Sequence, residues 1–293
     1  MNMFAILVGL GPLIGWGLFP TISSKIGGKP TNQIFGATVG TLIFAIILML
    51  INGTQIPTGS ALFFGIVSGA AWSFGQIMSF KAFEFIGSSK TMPITTAFQL
   101  IVTSLWGAFA LGNWPGVSHK VVGIIALIVI IAGATMTTYS ETSTKKSSSN
   151  LKKAVIILAI GVIGYWGYSA APQAVSNMNG MEAFLPQAIG MVLVAVIYSL
   201  FNIKKENIFK DPISYKQIIS GFFFAFAAFT YLISAQPDMN GLATGFVLSQ
   251  TSVVVATLTG IYMLGQKKTK KEMLITIIGL ILIILAASVT VLL

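Results

Sequence analysis

The sequence predicts an all-α integral membrane protein of about ten transmembrane helices, arranged as two inverted five-helix repeats. Three observations predict this fold: an apolar composition, apolar runs of membrane-spanning length, and matching motifs in the two halves. Of 293 residues, 55% are hydrophobic and 8% are charged, and the mean hydropathy is +0.88. Soluble domains carry about 25% charged residues. This chain therefore has too few polar groups to cover its surface in water.

The apolar runs set the expected number of helices. A helix needs about 20 apolar residues to cross the hydrocarbon core of a bilayer. The first run has no basic segment before it, because the first positive charge is Lys25, so it is predicted to be a membrane span and not a cleaved signal peptide. The connections are short, and we expect no inserted soluble domain. The ten runs are 3–20, 33–51, 61–85, 92–111, 121–138, 154–172, 183–202, 217–234, 241–263 and 273–293.

The lysines predict the topology. All seventeen basic residues are lysines, and cytoplasmic loops of membrane proteins are enriched in Lys and Arg. Sixteen of them fall in or beside the loops after the odd-numbered runs, whereas only Lys120 falls on the other side. We therefore expect both termini outside the cell. The net charge of +10 reflects this topology, and no nucleic-acid partner is expected.

The two halves carry similar motifs in the same order, about 150 to 154 residues apart. Each half holds five runs, an odd number, so the second copy must enter the membrane upside down. We predict a first repeat over 1–144 and a second over 145–293. Inverted repeats are typical of alternating-access transporters, with the substrate near the bilayer midplane. The matching pairs are 15–17 with 165–167, 33–36 with 187–190, 95–99 with 247–251, and 111–112 with 264–265.

The reactive residue types are scarce. The chain has no cysteine, which excludes disulfides, thiolate catalysis and cysteine-bound metals. A histidine-based zinc site or catalytic triad would depend on His119, the only histidine. We therefore expect no enzyme activity, no metal site and no cofactor.

Polar and aromatic side chains inside the apolar runs are the candidate binding residues. Polar groups in hydrocarbon are costly unless they are paired or solvated. Amides and hydroxyls both donate and accept hydrogen bonds, as a polyol requires, and flat aromatic rings can stack on the C–H face of a sugar. The alternative is that these groups hydrogen-bond between helices or anchor the chain at the membrane interface. The predicted substrate-binding residues are Trp16, Trp72, Gln76, Thr95, Gln99, Tyr165, Trp166, Ser249 and Gln250.

Lys81 and Glu84 are candidate gate or coupling residues. They are three residues apart at the end of the third run, close enough to pair on a helix. One interpretation is a lysine that extends to the membrane interface beside its counter-ion. The other is a gate salt bridge, or a protonatable Glu84 that couples solute to protons. Facilitated diffusion without protons stays open.

Several motifs resemble a known family. Residues 81–90 (KAFEFIGSSK), 93–100 (PITTAFQL), 9–17 (GLGPLIGWG), 233–237 (ISAQP) and 241–245 (GLATG) are similar to the bacterial glucose/ribose uptake proteins of the drug/metabolite transporter superfamily. The resemblance covers the whole chain and is greatest to ribose-uptake members from Gram-positive bacteria. It implies ten helices in two inverted repeats, a central cavity, and sugar uptake across the bacterial cytoplasmic membrane. Several superfamily members are placed with their termini inside the cell, the opposite of the orientation that these lysines predict.

Together these features predict a secondary transporter that imports a neutral monosaccharide by alternating access, with or without proton symport. The direction of transport comes from the resemblance alone. The main alternative is an exporter of another small solute, which would need a more apolar cavity with a buried acid. A membrane sensor and an intramembrane enzyme fit less well. The sequence does not distinguish ribose from glucose, or a monomer from a dimer.

Overall fold

The computed structural model describes residues 3–112, 114–142, 144–175, 180–234, 239–240 and 248–293. Throughout these residues the regular structure is helical, with no strand. A short 3₁₀ helix, Ala171–Ala174, follows the sixth helix. The α-helices are α1 Met3–Gly9, α2 Gly11–Ile26, α3 Pro30–Asn52, α4 Gly59–Phe109, α5 Gly116–Thr137, α6 Lys145–Ala170, α7 Gly180–Asn202, α8 Pro212–Lys216, α9 Ile218–Ser234, α10 Ser252–Met263 and α11 Lys270–Leu292.

Eight helical segments are long and apolar enough to cross a membrane. The prediction of an all-helical, multi-pass membrane protein is therefore confirmed. The predicted spans 61–85 and 92–111 both fall in the 51-residue α4, which ends at Phe109, two residues before the predicted end. The predicted span 241–263 contains the shorter apolar segment Leu248–Met263. Its first residues, 241–247, lie outside the described residues, as do residues 235–237 of the family motifs.

The long helix α4 reverses direction at Gly87. This glycine has φ 72° and ψ 166°, a backbone conformation that only glycine adopts readily. Contacts with α6 show the reversal. Before Gly87, the hydroxyl of Ser68 donates to the carbonyl of Tyr168 (2.7 Å), and the carbonyl of Phe85 accepts from the Asn150 amide (3.5 Å). This first half, 59–86, therefore runs antiparallel to α6.

The second half of α4, residues 88–109, runs back along α6. Trp106 packs edge-to-face on Trp166, with ring centroids 5.1 Å apart, and its Nε1 donates to Oε1 of Gln173 (3.4 Å). Ser68 and Trp106 are thus both beside the C-terminal part of α6, although 38 residues of sequence separate them. The predicted break between the third and fourth spans is therefore present as a hairpin at Gly87 within α4.

Helices of the two halves meet at two similar close contacts. A Cβ atom on Gly69 in α4 would overlap the backbone carbonyl of Gln187 in α7, and one on Gly221 in α9 would overlap the carbonyl of Ala37 in α3. The two glycines are 152 residues apart, and the two carbonyls are 150 residues apart. Small residues allow helix backbones to approach in this way. The first half of α4 therefore packs on α7 much as α9 packs on α3.

The loops after the odd-numbered predicted spans meet at one end of the helix bundle, here called the lysine end. Lys29 forms a 2.7 Å ion pair with Glu206, which links the first loop to the seventh. The hydroxyl of Ser89 donates to Oε1 of Gln266, which links the third loop to the ninth (2.5 Å). Further contacts at this end join loops and helix ends: Lys81 with Tyr198, Asn32 with Asp211, Ser140 with Glu272, and Lys268 with Thr137.

Two lysines at this end have shifted pKa values. The hydrogen bond and charge of Glu206 raise the pKa of Lys29 above its usual value. Burial, together with the nearby positive charge of Lys90, lowers the pKa of Lys268 to about 8. Lys268 therefore sits in a partly buried position where its ammonium group is disfavoured, while it donates to the carbonyl of Thr137 at 2.8 Å.

Candidate functional site

A central cavity of about 140 Å³ lies between helices from both halves of the chain. Pockets for drug-sized ligands are larger, about 300–1,000 Å³, so this one suits a small solute. Its walls come from α2, both halves of α4, α6, α9 and the start of the α10 segment. The lining residues are Trp16, Phe19, Trp72, Gln76, Met92, Thr95, Thr96, Gln99, Tyr165, Tyr168, Phe224, Gln250 and Ser252.

Seven of the nine predicted binding residues line this cavity. They come from five separate predicted spans and were chosen from helix-face spacing, so their convergence depends on the tertiary fold. The structure places them together, and contact with a substrate stays a prediction. The seven are Trp16, Trp72, Gln76, Thr95, Gln99, Tyr165 and Gln250.

A buried hydrogen-bond chain fixes one polar wall of the cavity. The Tyr165 hydroxyl donates to Oε1 of Gln76 at 2.9 Å. Because that hydroxyl has one proton, Ser79 must donate to the Tyr165 oxygen, which is also 2.9 Å away. All three side chains are buried. With its oxygen engaged, the Gln76 amide has its NH₂ group left to donate to a solute.

A second polar wall lies on the other half of α4. The Gln99 amide donates to the Thr95 hydroxyl across 3.4 Å, a long hydrogen bond that a closer partner could replace. Opposite, Trp72 and Phe224 pack with ring centroids 4.3 Å apart, and Trp16 lies 6.4 Å from Phe224. The Trp16 Nε1 is buried and has no hydrogen-bond partner among the described residues. The cavity thus combines aromatic faces with amide, hydroxyl and indole donors.

Two predicted binding residues lie elsewhere. Ser249 is buried behind Gln250 and accepts a hydrogen bond from its amide (3.2 Å), so it supports a lining residue without lining the cavity itself. Trp166 points to a different cavity, where it contacts Trp106. Adjacent Tyr165 and Trp166 point to different cavities because neighbouring residues on a helix are about 100° apart.

The sequence interpretation missed six lining residues. Phe19 and Tyr168 each follow a predicted residue by three positions, the spacing of one helix face. That signal could have found both. The others gave weaker signals, because an apolar or hydroxyl residue within a span is usually explained by helix packing. The six are Phe19, Met92, Thr96, Tyr168, Phe224 and Ser252.

Comparison with known proteins decides the family. The model of a family described as sugar transport protein matches residues 7–293. The chain belongs to this sugar transport protein family. It is 67% identical over 291 residues to "Putative ribose uptake protein RbsU" of Staphylococcus epidermidis, and 66% identical to the Staphylococcus aureus protein of the same name. In both comparisons the alignment covers 99% of each chain.

A solved structure shares the fold of this sugar transport family member. It is described as a crystal structure of protein, and the superposition has a TM-score of 0.65 with 15% sequence identity. The match covers 100% of this chain and 98% of the other. At this identity the likeness concerns the fold alone.

Lys81 and Glu84 do not form an ion pair with each other in this family member. Lys81 Nζ lies 5.2 Å from the ring centroid of Tyr198, in cation–π contact. Glu84 is exposed, three residues before the reversal at Gly87. Both residues therefore lie towards the lysine end, away from the central cavity, and the predicted pairing between them is replaced by a contact with α7.

The cavity offers neutral chemistry. No aspartate, glutamate, lysine or histidine occurs among the described residues that line it. Within the described ranges, no group of three or more His, Cys, Asp or Glu side chains is placed to hold a metal ion. What the site can do is exchange hydrogen bonds and stack aromatic rings against a small neutral polar solute.

Proposed function

We propose that this protein is a secondary transporter that imports a neutral monosaccharide, ribose, by alternating access. The observation that carries the proposal is the uncharged central cavity, where amides and hydroxyls from both halves of the chain lie beside the rings of Trp16 and Trp72. A sugar has hydroxyls that donate and accept, and C–H faces that stack on aromatic rings. Family membership supports a transport role over a catalytic one.

The proposal of ribose over glucose has two supports. The relatives at 66–67% identity are named for ribose uptake. The cavity of about 140 Å³ is small, which favours a pentose over a hexose. Ribose is neutral, in agreement with the absence of charged side chains from the described lining.

We further propose ten membrane passes in two inverted repeats, 1–144 and 145–293. The reversal at Gly87 divides α4 into two passes. The paired contacts of Gly69 and Gly221 are spaced as a duplication requires. Gly112 and Gly265, which end the fourth and ninth predicted spans, both have left-handed φ values, 73° and 66°. These correspondences support the repeat.

We place the lysine end in the cytoplasm and both termini outside, in the cytoplasmic membrane of a bacterium. Because the chain has no native cysteine, single cysteines can test this placement. Lys120→Cys should react with a membrane-impermeant thiol reagent added to intact cells, whereas Lys146→Cys should react only after the membrane is opened. The reverse pattern would overturn the orientation.

An exporter of another small solute is the competing function. It would be favoured by an apolar cavity and a buried acid at mid-depth. Glu84 was the candidate acid, and it is exposed near the reversal at Gly87. Three glutamines also line the cavity, namely Gln76, Gln99 and Gln250. Both observations favour the sugar importer.

The deciding experiment is uptake of radiolabelled ribose and glucose into proteoliposomes, with and without an imposed pH gradient. We expect ribose to enter faster than glucose. Uptake that only equilibrates would identify a facilitator. Accumulation that needs the gradient and is lost in Glu84→Gln would instead identify proton symport through Glu84. No uptake of either sugar by folded protein would refute the proposed function and favour the exporter.

A further inference from the structure

A second cavity, here called the tryptophan cavity, lies at the end of the bundle opposite the lysine end. It measures about 490 Å³ and lies between the second half of α4, the C-terminal part of α6 and the end of α11. No lysine, aspartate or glutamate occurs among its described lining residues. Its wall instead combines indole rings with hydroxyl and amide groups, including Trp106, Trp114, Trp166, Ser104, Ser169 and Gln173.

The tryptophan cavity and the central cavity share two helices, α4 and α6. On α4, Gln99 lines the central cavity and Thr103 lines the tryptophan cavity, and the Thr103 hydroxyl donates to the Gln99 carbonyl at 2.7 Å. On α6, Tyr165 and Ser169 are related in the same way, with a 3.3 Å hydrogen bond. One turn rises about 5.4 Å. The two cavities are therefore neighbours: they are offset along α4, and they lie on adjacent faces of α6, where Tyr168 lines the central cavity and Trp166 lines the tryptophan cavity.

The rings of Trp106 and Trp166 form a rigid aromatic corner in this cavity. Their centroids are 5.1 Å apart and their planes are inclined at 75°, the favourable edge-to-face arrangement. Gln173 holds Trp106 from the rim: its Oε1 accepts from the indole nitrogen, and its own amide donates to the Ser169 carbonyl at 3.0 Å. Gln173 is exposed, so the cavity is open to the outside of the bundle at that point.

We propose that the tryptophan cavity is an entry site for the transported monosaccharide, which stacks on Trp106 and Trp166 before it passes to the central cavity. The inference rests on the proposed function. It adds a second binding position with the same chemistry as the first, aromatic faces beside neutral hydrogen-bonding groups. An aromatic ring can stack on a sugar in several orientations. The Gln76 amide, whose oxygen is held by Tyr165, can donate to a sugar in fewer orientations. The outer position therefore captures the sugar, and the central cavity selects it.

A lipid chain is the competing occupant, because the cavity lies at the surface of the bundle and includes apolar residues such as Leu111 and Val291. Ser169 and Gln173 already hydrogen-bond within the chain, but the Ser169 hydroxyl oxygen can still accept and the Gln173 amide has a second N–H to donate. A sugar can use this remaining capacity together with the Ser104 hydroxyl, whereas a lipid tail cannot, which is why we assign the cavity to sugar.

Thiol labelling distinguishes sugar from lipid. In the cysteine-free chain, Ser169→Cys should react with a charged, membrane-impermeant thiol reagent added to intact cells, and saturating ribose should slow the reaction at least threefold. Lys120→Cys, at the same end of the bundle but outside the cavity, is the matched control and should be unaffected by ribose. A Ser169→Cys thiol that does not react would indicate a lipid-filled cavity and overturn the proposal, as would a reaction rate that ribose does not change.

Binding kinetics give an independent test, using ribose and purified protein with Trp16 and Trp72 as fluorescent reporters in the central cavity. An entry position lowers the free-energy barrier both for ribose to reach the central cavity and for ribose to leave it. Trp106→Ala should therefore slow ribose association and dissociation by a similar factor, about fivefold, and leave the equilibrium Kd within twofold. Trp106→Phe should restore most of the rate because it keeps a stacking face. Phe109→Ala, which removes an exposed ring one turn along the same helix, should behave as wild type.

The outcomes separate this inference from the proposed function. Wild-type rates in folded Trp106→Ala protein would refute the entry site and leave the sugar transporter intact. A weaker Kd with unchanged association would mean that Trp106 only supports the central cavity, and would also refute the entry site. If the wild-type protein binds neither ribose nor glucose, the proposed function itself fails.

Discussion

Tyr165→Phe removes one oxygen atom from the centre of the protein and tests how the cavity selects its solute. The Tyr165 hydroxyl donates to Gln76 and accepts from Ser79, both at 2.9 Å, and all three groups are buried. Without it, the Gln76 oxygen loses its donor and the amide is free to rotate. The NH₂ group of Gln76 is then no longer held towards the solute.

The magnitude follows from the hydrogen bonds lost. One oriented hydrogen bond to the sugar contributes about 0.5–1.5 kcal/mol, so the half-saturating sugar concentration should rise about two- to thirteenfold. The maximal rate should change less, because the rings and the other amides remain. Stability should fall by about 1–3 kcal/mol, since the partners of the hydroxyl are left buried and unpaired.

The assay is ribose uptake into proteoliposomes over a range of concentrations, together with thermal unfolding of the purified variant. Tyr262→Phe is the matched control, because Tyr262 is 73% exposed and far from the cavity lining. Ser79→Ala should give a smaller rise in half-saturation, since it removes the donor to Tyr165 but leaves the bond to Gln76. Wild-type half-saturation in folded Tyr165→Phe protein would refute the idea that this chain orients Gln76.

Three further outcomes are expected. Gly69→Ala should lower the free energy of unfolding by about 1–3 kcal/mol, measured by thermal unfolding, because its Cβ overlaps the Gln187 carbonyl; an unchanged midpoint would contradict the close contact. The pKa of Lys268 is lowered from 10.5 to about 8, so the unfolded chain binds more protons between these values and stability should rise with pH there; Lys268→Met should reduce that rise. Trp16→Phe should weaken ribose uptake with little change in unfolding temperature, because its indole nitrogen has no described partner to lose; unchanged uptake would argue against a sugar contact.

Hydropathy and charge predicted the fold class because a bilayer demands long apolar helices. The reversal within α4 was visible as the gap between runs 61–85 and 92–111, but its form was not. The turn of the hairpin is so short that Gly87 is the residue with non-helical backbone angles, and helix lies on both sides of it. The sequence predicted one undivided first span, 3–20, whereas the structure divides it at Leu10 into α1 and α2, beside Gly9, Gly11 and Pro12.

The candidate site was predictable where a residue's direction follows from helix spacing alone. Trp72 and Gln76 are four apart, as are Thr95 and Gln99, and each pair reaches the cavity together. Tyr165 and Trp166 were predicted together from the sixth span, yet only Tyr165 lines the central cavity. The rotation of one helix about its axis depends on packing with its neighbours, which a single sequence does not specify.

The ion pair of Lys29 and Glu206 gives a last prediction, because the lysine end must open if sugar is to leave on that side. The pair joins loops of the two halves at 2.7 Å, but the Lys29 side chain is 63% exposed. Exposed pairs contribute at most about 1 kcal/mol, so breaking this one should increase opening no more than about fivefold. Ser88→Cys reports opening, because Ser88 is buried at this end, and its labelling in open membranes should be up to fivefold faster when combined with Glu206→Gln. Equal labelling rates with and without Glu206→Gln would mean that other contacts, such as the hydrogen bond between Ser89 and Gln266, close this end without help from the charge pair.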